Sequence, residues 1–218
     1  MEKILEAMLQ DKIVSIIRGV ASQQIIPAVA ALEAGGVRFV EVTFNPADEA
    51  ASADTLRSIK LLQNIFGSRM HIGAGTVLSV EQVEQAAAAG AEFVISPNMN
   101  PAVICRTKEK GLIAMPGAYT PTEAQAAWEA GADIVKIFPA DQLGPNYFKA
   151  LKAPLSQLHL AAVGGVSEQN IQDFARAGAD CFGIASNLVN ANRVQRQAWQ
   201  EIEAAARRYR ERIKSLTC

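Results

Sequence analysis

Histidine and cysteine are scarce in this chain, with two of the first and three of the second. Cys105, Cys181 and Cys218 are odd in number, far apart and without CxxC spacing, and no histidine stands near them. Neither a disulfide framework nor a zinc site is expected, and reduced thiols in the cytoplasm fit best. An excess of one charge is also lacking: 21 basic residues face 22 acidic ones. The one basic cluster, Arg207, Arg208, Arg210 and Arg212, alternates with Glu201, Glu203 and Glu211, the pattern of a solvated, ion-paired helix face. No nucleic-acid partner is expected. The N-terminal MEKILEAMLQDK has a helical apolar pattern broken by charges, with no small-residue cleavage signal. Nowhere does an apolar run reach the length of a membrane span. The phosphate fingerprint GxGxxG is missing after the first strand, where the chain reads IIRGVAS.

What is there is an ordinary globular composition, half apolar and one-fifth charged, with a mean hydropathy of +0.09. An imperfect repeat runs through it, in which a small, Ala-rich helix ends at Ala-Gly and a short apolar strand follows at once. The copies are ALEAGGVRFVEVTF, AAAAGAEFVIS, AWEAGADIVKIF and ARAGADCFGIAS. Gly35, Gly90, Gly131 and Gly178 are expected to be the left-handed residues that end those helices.

Reading outward from these anchors gives eight buried, parallel-type strands, at 13–18, 38–44, 71–76, 92–96, 112–116, 133–138, 159–164 and 181–185. Helices follow each, with starts at Ser22, Pro46 to Asp48, Ser79, Asn100, Thr120 to Thr122, Ser167 and Asn192; the segment after the sixth strand reads as short. Eight such units in 218 residues predict one α/β domain over 1–218, a (β/α)8 TIM barrel with an N-terminal helix. An open doubly wound sheet is the lesser alternative.

In a barrel the active site gathers at the C-terminal ends of the strands, so polar residues late in each apolar run are the candidates. These are Arg18, Glu41, Thr43, Asn45, Thr76, Ser96 to Asn98, Lys136, Gly164, Gly165 and Ser186. Lys136 interrupts IVKIFP, a run expected to be buried on both faces. Alternation puts it on one side with Ile134 and Phe138, where desolvation would lower its pKa and leave a neutral amine able to attack a ketone. Glu41 stands the same way in FVEVTF and can serve as base and then acid. The plainer alternatives are an outward-reaching lysine and a purely structural ion pair. Arg18 can grip a carboxylate through two parallel hydrogen bonds. Gly164 and Gly165, before a helix starting near Ser167, and Ser186 could receive an anion. Such a turn is also ordinary loop punctuation.

GVRFVEVTF with Glu41, GAGTVL with Thr76, ISPN with Pro97, MPGAYTPTE, GADIVKIFPA with Lys136 and VGGVS resemble, in order, the motifs of one family. It is the family of 2-keto-3-deoxy-6-phosphogluconate (KDPG) and 4-hydroxy-2-oxoglutarate (KHG) aldolases, and the likeness runs from Ile16 to about Leu188. The resemblance implies a class I aldolase that splits a small 2-keto acid into pyruvate and an aldehyde, with no metal or other cofactor. In it Lys136 would be the Schiff-base lysine and Glu41 the acid/base. Arg18, Thr76 and Pro97 would surround the keto acid, with Phe138 packed beside it, and the protein would be a homotrimer. Asn45, GPNYFKALKAPL and VGGV look like the 6-phosphogalactonate branch, whereas Thr43 looks like the gluconate side. At the phosphate end the chain reads Gly183-Ile-Ala-Ser186, so Ala185 puts a methyl where backbone should approach an anion.

Two other readings compete. A metal-assisted aldolase or sugar-phosphate epimerase would need histidines or clustered carboxylates at the strand tops, but His71 and His159 fall at strand starts. A barrel that only binds a keto acid would have no use for Lys136 and Glu41 together.

Overall fold

A computed structural model describes residues 2–215, so Cys218 lies outside the described residues. Its strands are β1 (Ile13–Ile17), β2 (Phe39–Thr43), β3 (His71–Gly75), β4 (Phe93–Ile95), β5 (Ile113–Met115), β6 (Gly117–Ala118), β7 (Val135–Ile137), β8 (Leu160–Val163) and β9 (Cys181–Ile184). All pair in parallel, in the order β5-β4-β3-β2-β1-β9-β8-β7-β6. The ninth strand comes from a split in the expected fifth. The break falls at Pro116, which has no N–H to give a ladder. Across it the carbonyls of Ala114, Pro116 and Ala118 accept in turn from Ile134, Lys136 and Phe138, at 3.3, 2.9 and 3.1 Å. The ladder to β7 is therefore continuous and the barrel closes.

The helices are α1 (Glu2–Asp11), α2 (Ser22–Ala34), α3 (Glu49–Phe66), α4 (Val80–Ala88), α5 (Pro101–Glu109), α6 (Pro121–Glu129), α7 (Ala140–Lys152), α8 (Ile171–Arg176), α9 (Ala191–Gln195) and α10 (Trp199–Lys214). Among the described residues no helix is long and apolar enough to cross a membrane. Alternation along the strands builds two cores. One lies between strands and helices, and the other fills the barrel with Val14, Ile16, Phe39, Phe93, Ile113, Ile134 and Val163. Helix α1 plugs the N-terminal mouth through Met8, which is fully buried against that inner core. Truncating it to alanine should cost about 2–5 kcal/mol.

Several helix starts fall where side-chain chemistry puts them. Asp48, Ser79 and Asn100 each accept a first-turn N–H, and Thr120 forms a reciprocal capping box with Glu123. Three starts or lengths differ from expectation. Helix α8 begins at Ile171, not near Ser167, because Asn170 Oδ1 takes the Ser167 N–H at 2.8 Å and holds the chain in a turn. Helix α9 begins at Ala191 on an Asn190 cap. The segment after the sixth strand is not short: α7 has 13 residues, broken by the non-helical Gly144. In the first repeat Gly36, not Gly35, is left-handed, with φ of 89°. Gly35 is required for another reason, since a Cβ there would lie 2.4 Å from that of Ala206 where α10 crosses α2.

Several charged groups at the N-terminal mouth are paired. Asp133 Oδ2 accepts from the Ala114 N–H at 2.8 Å and from Lys108 Nζ at 2.6 Å. Asp180 Oδ2 repeats this with the Leu160 N–H at 2.8 Å and Lys152 Nζ at 3.0 Å. His71 meets Glu92 and stacks on Phe39, and His159 Nδ1 lies 3.8 Å from Asp180. Along α10, Arg207 pairs with Glu203, Arg208 with Glu168 of the segment after β8, and Arg210 with Asp11 at the end of α1. Cys105 and Cys181 are free thiols.

Candidate active site

Lys136 is the middle residue of β7, beside Gly117 on β6 and Ala161 on β8. Both neighbours are small, which leaves the lysine room inside the barrel. It is 7% exposed, and its Nζ lies 4.7 Å from the centre of the Phe138 ring. Burial pulls its pKa below the ordinary lysine value, the charge of Glu41 works against that, and the charge of Arg18 adds to it. Gly117 also lets the chain from β4 come close, because a Cβ there would lie 2.2 Å from the Pro97 carbonyl oxygen. Pro97 is thereby brought against the strand pair that carries Lys136.

Glu41 holds the middle of β2, between Ile16 on β1 and Gly73 on β3. It is 2% exposed, and its Oε2 has no hydrogen-bond partner among the described residues. Burial raises its pKa to about 7, against the opposing pull of the Lys136 and Arg18 charges. The carboxylate leans over β3 into space that only a glycine leaves: a Cβ on Gly75 would sit 1.6 Å from Glu41 Oε1. Both groups are thus pushed toward their neutral forms, and a proton can pass on or off Glu41 near neutral pH.

Arg18 follows β1, exposed at the C-terminal mouth, and its Nη2 donates to Thr76 Oγ1 at 3.3 Å. Thr76 has a φ of 56°, a left-handed conformation that is rare for a β-branched residue and costs about 1–2 kcal/mol. Thr43 lies two residues above Glu41, 5% exposed, with its hydroxyl unpartnered. Asn45 is exposed, and its Oδ1 accepts from the Ala47 N–H at 3.2 Å, closing its own turn. Arg18, Thr43 and Asn45 share a cavity of about 350 Å³ under the β1–α2 loop, which Lys136 and Glu41 do not line.

The anion end is less complete than expected. Gly164 and Gly165 have φ of 94° and 69°, a turn that glycine suits. With α8 starting only at Ile171, no helix N-terminus follows directly, and Asn170 Nδ2 occupies the Gly165 carbonyl at 2.9 Å. A Cβ on Gly165 would lie 2.3 Å from the Cβ of Asp141, so a carboxylate-bearing side chain packs there. Ser186 is exposed in the turn after β9, and Asn187 Nδ2 ties that turn to the Val166 carbonyl at 2.9 Å. Of the remaining candidates, Ser96 is structural, its hydroxyl donating to the Val77 carbonyl at 2.7 Å.

The structure therefore gathers Arg18, Glu41, Thr76, Pro97, Lys136 and Phe138, sets Thr43 and Asn45 beside them, and puts Gly164, Gly165 and Ser186 in the two turns after β8 and β9. Gly75 and Gly117 were missed in the sequence. The only signal for the first is that HIGAG carries glycine at both inward positions of its strand.

The model of the KDPG and KHG aldolase family matches residues 4–205. A probable 2-dehydro-3-deoxy-6-phosphogalactonate aldolase of Rhizobium meliloti (strain 1021) is 41% identical over 189 residues, 86% of either chain. The 2-dehydro-3-deoxy-6-phosphogalactonate aldolase of Escherichia coli (strain K12) is 36% identical over 202 residues, 92% of this chain and 96% of that one. Among solved structures, a native KDPGal structure superposes with a TM-score of 0.81 at 36% identity, covering 93% of this chain and 96% of the other. A KDPG aldolase from Legionella pneumophila, with pyruvate captured as a covalent carbinolamine intermediate, gives a TM-score of 0.83 at 25% identity over the same shares. With a buried lysine and glutamate facing each other's charge at the mouth of a closed barrel, and relatives of this kind along nearly its whole length, the chain belongs to the KDPG and KHG aldolase family and is a lyase.

Proposed function

We propose that this protein is a class I aldolase that cleaves 2-keto-3-deoxy-6-phosphogalactonate, in preference to its C4 epimer, into pyruvate and glyceraldehyde 3-phosphate. The observation that carries the mechanism is the burial of Lys136 beside Glu41, with the lysine pKa lowered and the glutamate pKa at about 7. The neutral Nζ of Lys136 attacks the C2 carbonyl, and the carbinolamine loses water to give an iminium. Glu41 takes the C4 hydroxyl proton, directly or through a water. The C3–C4 bond then breaks, its electrons pass into the iminium to form an enamine, and the aldehyde leaves. Glu41 returns the proton to C3, and water releases pyruvate from Lys136. Arg18 and Thr76 hold the substrate carboxylate, Pro97 and Phe138 pack on the keto end, and Thr43 and Asn45 edge the site. Gly164, Gly165 and Ser186 receive the phosphate.

Support for the galactonate-type substrate comes from Asn45 and from the names of the two relatives given above, at 41% and 36% identity. The reading includes a homotrimer, on the strength of the family resemblance, working in the cytoplasm, where Cys105 and Cys181 stay reduced.

Incubation with pyruvate, reduction with borohydride and peptide mass spectrometry test the chemistry. A pyruvate-sized adduct on Lys136, absent from Lys136→Met, is expected; a folded protein with no adduct would sink the Schiff-base mechanism and favour a barrel that only binds keto acids. Comparing kcat/KM for the two C4 epimers tests the substrate, with the galactonate form expected to be faster.

A further inference from the structure

Ser22 opens α2 without help from its own cap, since Ala21 has no side-chain acceptor to offer. The acceptor comes from α3. Asp54 Oδ2 takes the Ser22 N–H at 2.8 Å, and Asp54 Oδ1 takes the Ser22 hydroxyl at 2.7 Å. Arg57, one turn further along α3, donates Nε to the same Oδ1 at 3.2 Å. The residues just before Ser22 are the β1–α2 loop, Arg18 to Ala21, turned by Gly19 with a φ of 67°. Under this loop lies the cavity of about 350 Å³ lined by Arg18, Val20, Thr43, Asn45, Asp54 and Thr55. Within the loop Val20 packs on the core. The ends of the loop are held by the β1 ladder on one side and by the Asp54–Ser22 pair on the other.

We propose that Asp54 is a positioning residue for the reaction, fastening the Arg18 loop so that the guanidinium meets the substrate carboxylate beside Thr76. This rests on the role of Arg18 given above. Shifts of about 1 Å in such a group cost as much as ~100-fold. Neither Asp54 nor Ser22 touches the reacting atoms, so the effect belongs in substrate affinity.

The measurement is the pyruvate concentration that gives half-maximal borohydride labelling of Lys136 in the full-length protein, read together with KM and kcat for cleavage. Asp54→Ala is expected to raise the half-saturating concentration and KM about tenfold, with kcat changed about twofold at most. Asp54→Asn and Ser22→Ala, which each keep part of the contact, should give smaller rises in the same direction and carry the comparison if Asp54→Ala fails to fold. Arg57→Ala, which leaves both Asp54–Ser22 hydrogen bonds in place, should leave both constants unchanged. In an Arg18→Ala background, Asp54→Ala should add nothing further. Unchanged half-saturation in the folded variants, or effects that simply add to those of Arg18→Ala, would overturn the positioning role. Wild-type protein that labels no lysine overturns the Schiff-base reading and this inference with it. Labelling that Arg18→Ala weakens and Asp54→Ala does not overturns this inference alone.

Discussion

The two mouths of the barrel treat buried and half-buried charge in opposite ways. At the N-terminal mouth Asp133 and Asp180 each hold a backbone N–H and a lysine, and Arg210 holds Asp11. At the C-terminal mouth Glu41 and Thr43 are more deeply buried, yet among the described residues Glu41 Oε2 and Thr43 Oγ1 have no partner. A lone buried polar atom costs about 1–3 kcal/mol. The first arrangement uses its polar groups to hold strands in register; on the proposed function, the second leaves them poised for a substrate, and function sits where stability has been given up.

The sharpest way to break this contrast is at Lys136. Lys136→Met should abolish cleavage, a loss on the order of 10⁴-fold or more, while the melting temperature stays level or rises, because a desolvated amine is replaced by an apolar chain of similar length. A fall in both would put Lys136 among the structural pairs of the other mouth.

Glu41 comes next. Glu41→Gln should lower kcat by about 10²–10⁴-fold and remove the limb of the pH–rate profile near pH 7. Its effect on stability has a definite sign. In the unfolded chain Glu41 ionises around the usual 4.5, whereas in the folded protein it keeps its proton up to about 7. Between those values the folded state binds more protons, so this group's contribution to stability is fully present below pH 4.5 and falls as pH rises to about 7. The loss is on the order of 2–3 kcal/mol. Denaturant titrations at pH 5 and pH 8 should show that slope in the wild type and a flatter one in Glu41→Gln.

At the opposite mouth Asp180→Ala should cost about 1–3 kcal/mol in stability, since it leaves the Leu160 N–H without its acceptor and Lys152 with the Leu158 carbonyl alone. Under conditions where it is folded, kcat should stay within about twofold of wild type, because loss of a distant structural pair changes no group at the reacting end. A large drop in kcat would mean that the two mouths are coupled.

Much of this contrast could be read from residue order alone. Charges inside FVEVTF and DIVKIF are conspicuous because a parallel barrel strand is apolar throughout, so alternation was enough to bring Glu41 and Lys136 to one interior. The repeat of Ala-Gly before four of the strands pointed to the barrel in the same way. What escaped the sequence depends on contacts between distant segments. Gly75 matters because Glu41 leans over it, Gly117 because Pro97 comes against it, and Asp54 because the helix it caps is not its own. The late start of α8 was hidden for a local reason: Asn170 competes for the Ser167 N–H, and a side-chain bond of that kind can turn the chain where a helix cap is expected.

The smallest effect is expected at Thr76, and it tests the contrast at a single torsion. With φ of 56°, Thr76 carries a left-handed backbone under a branched side chain, and its hydroxyl receives Arg18. Thr76→Gly removes a steric cost of about 1–2 kcal/mol but adds back about 0.5–1 kcal/mol of unfolded-state entropy. The net change should be a stabilisation of less than about 1 kcal/mol, a rise of a few degrees at most in the melting temperature. The same change takes away the Arg18 partner, so KM should rise while kcat changes little. Gain of stability with loss of affinity at one residue is what a strained, functional mouth requires; destabilisation by Thr76→Gly would instead mean that the hydroxyl contact outweighs the torsion, and that this mouth is built for stability as the other is.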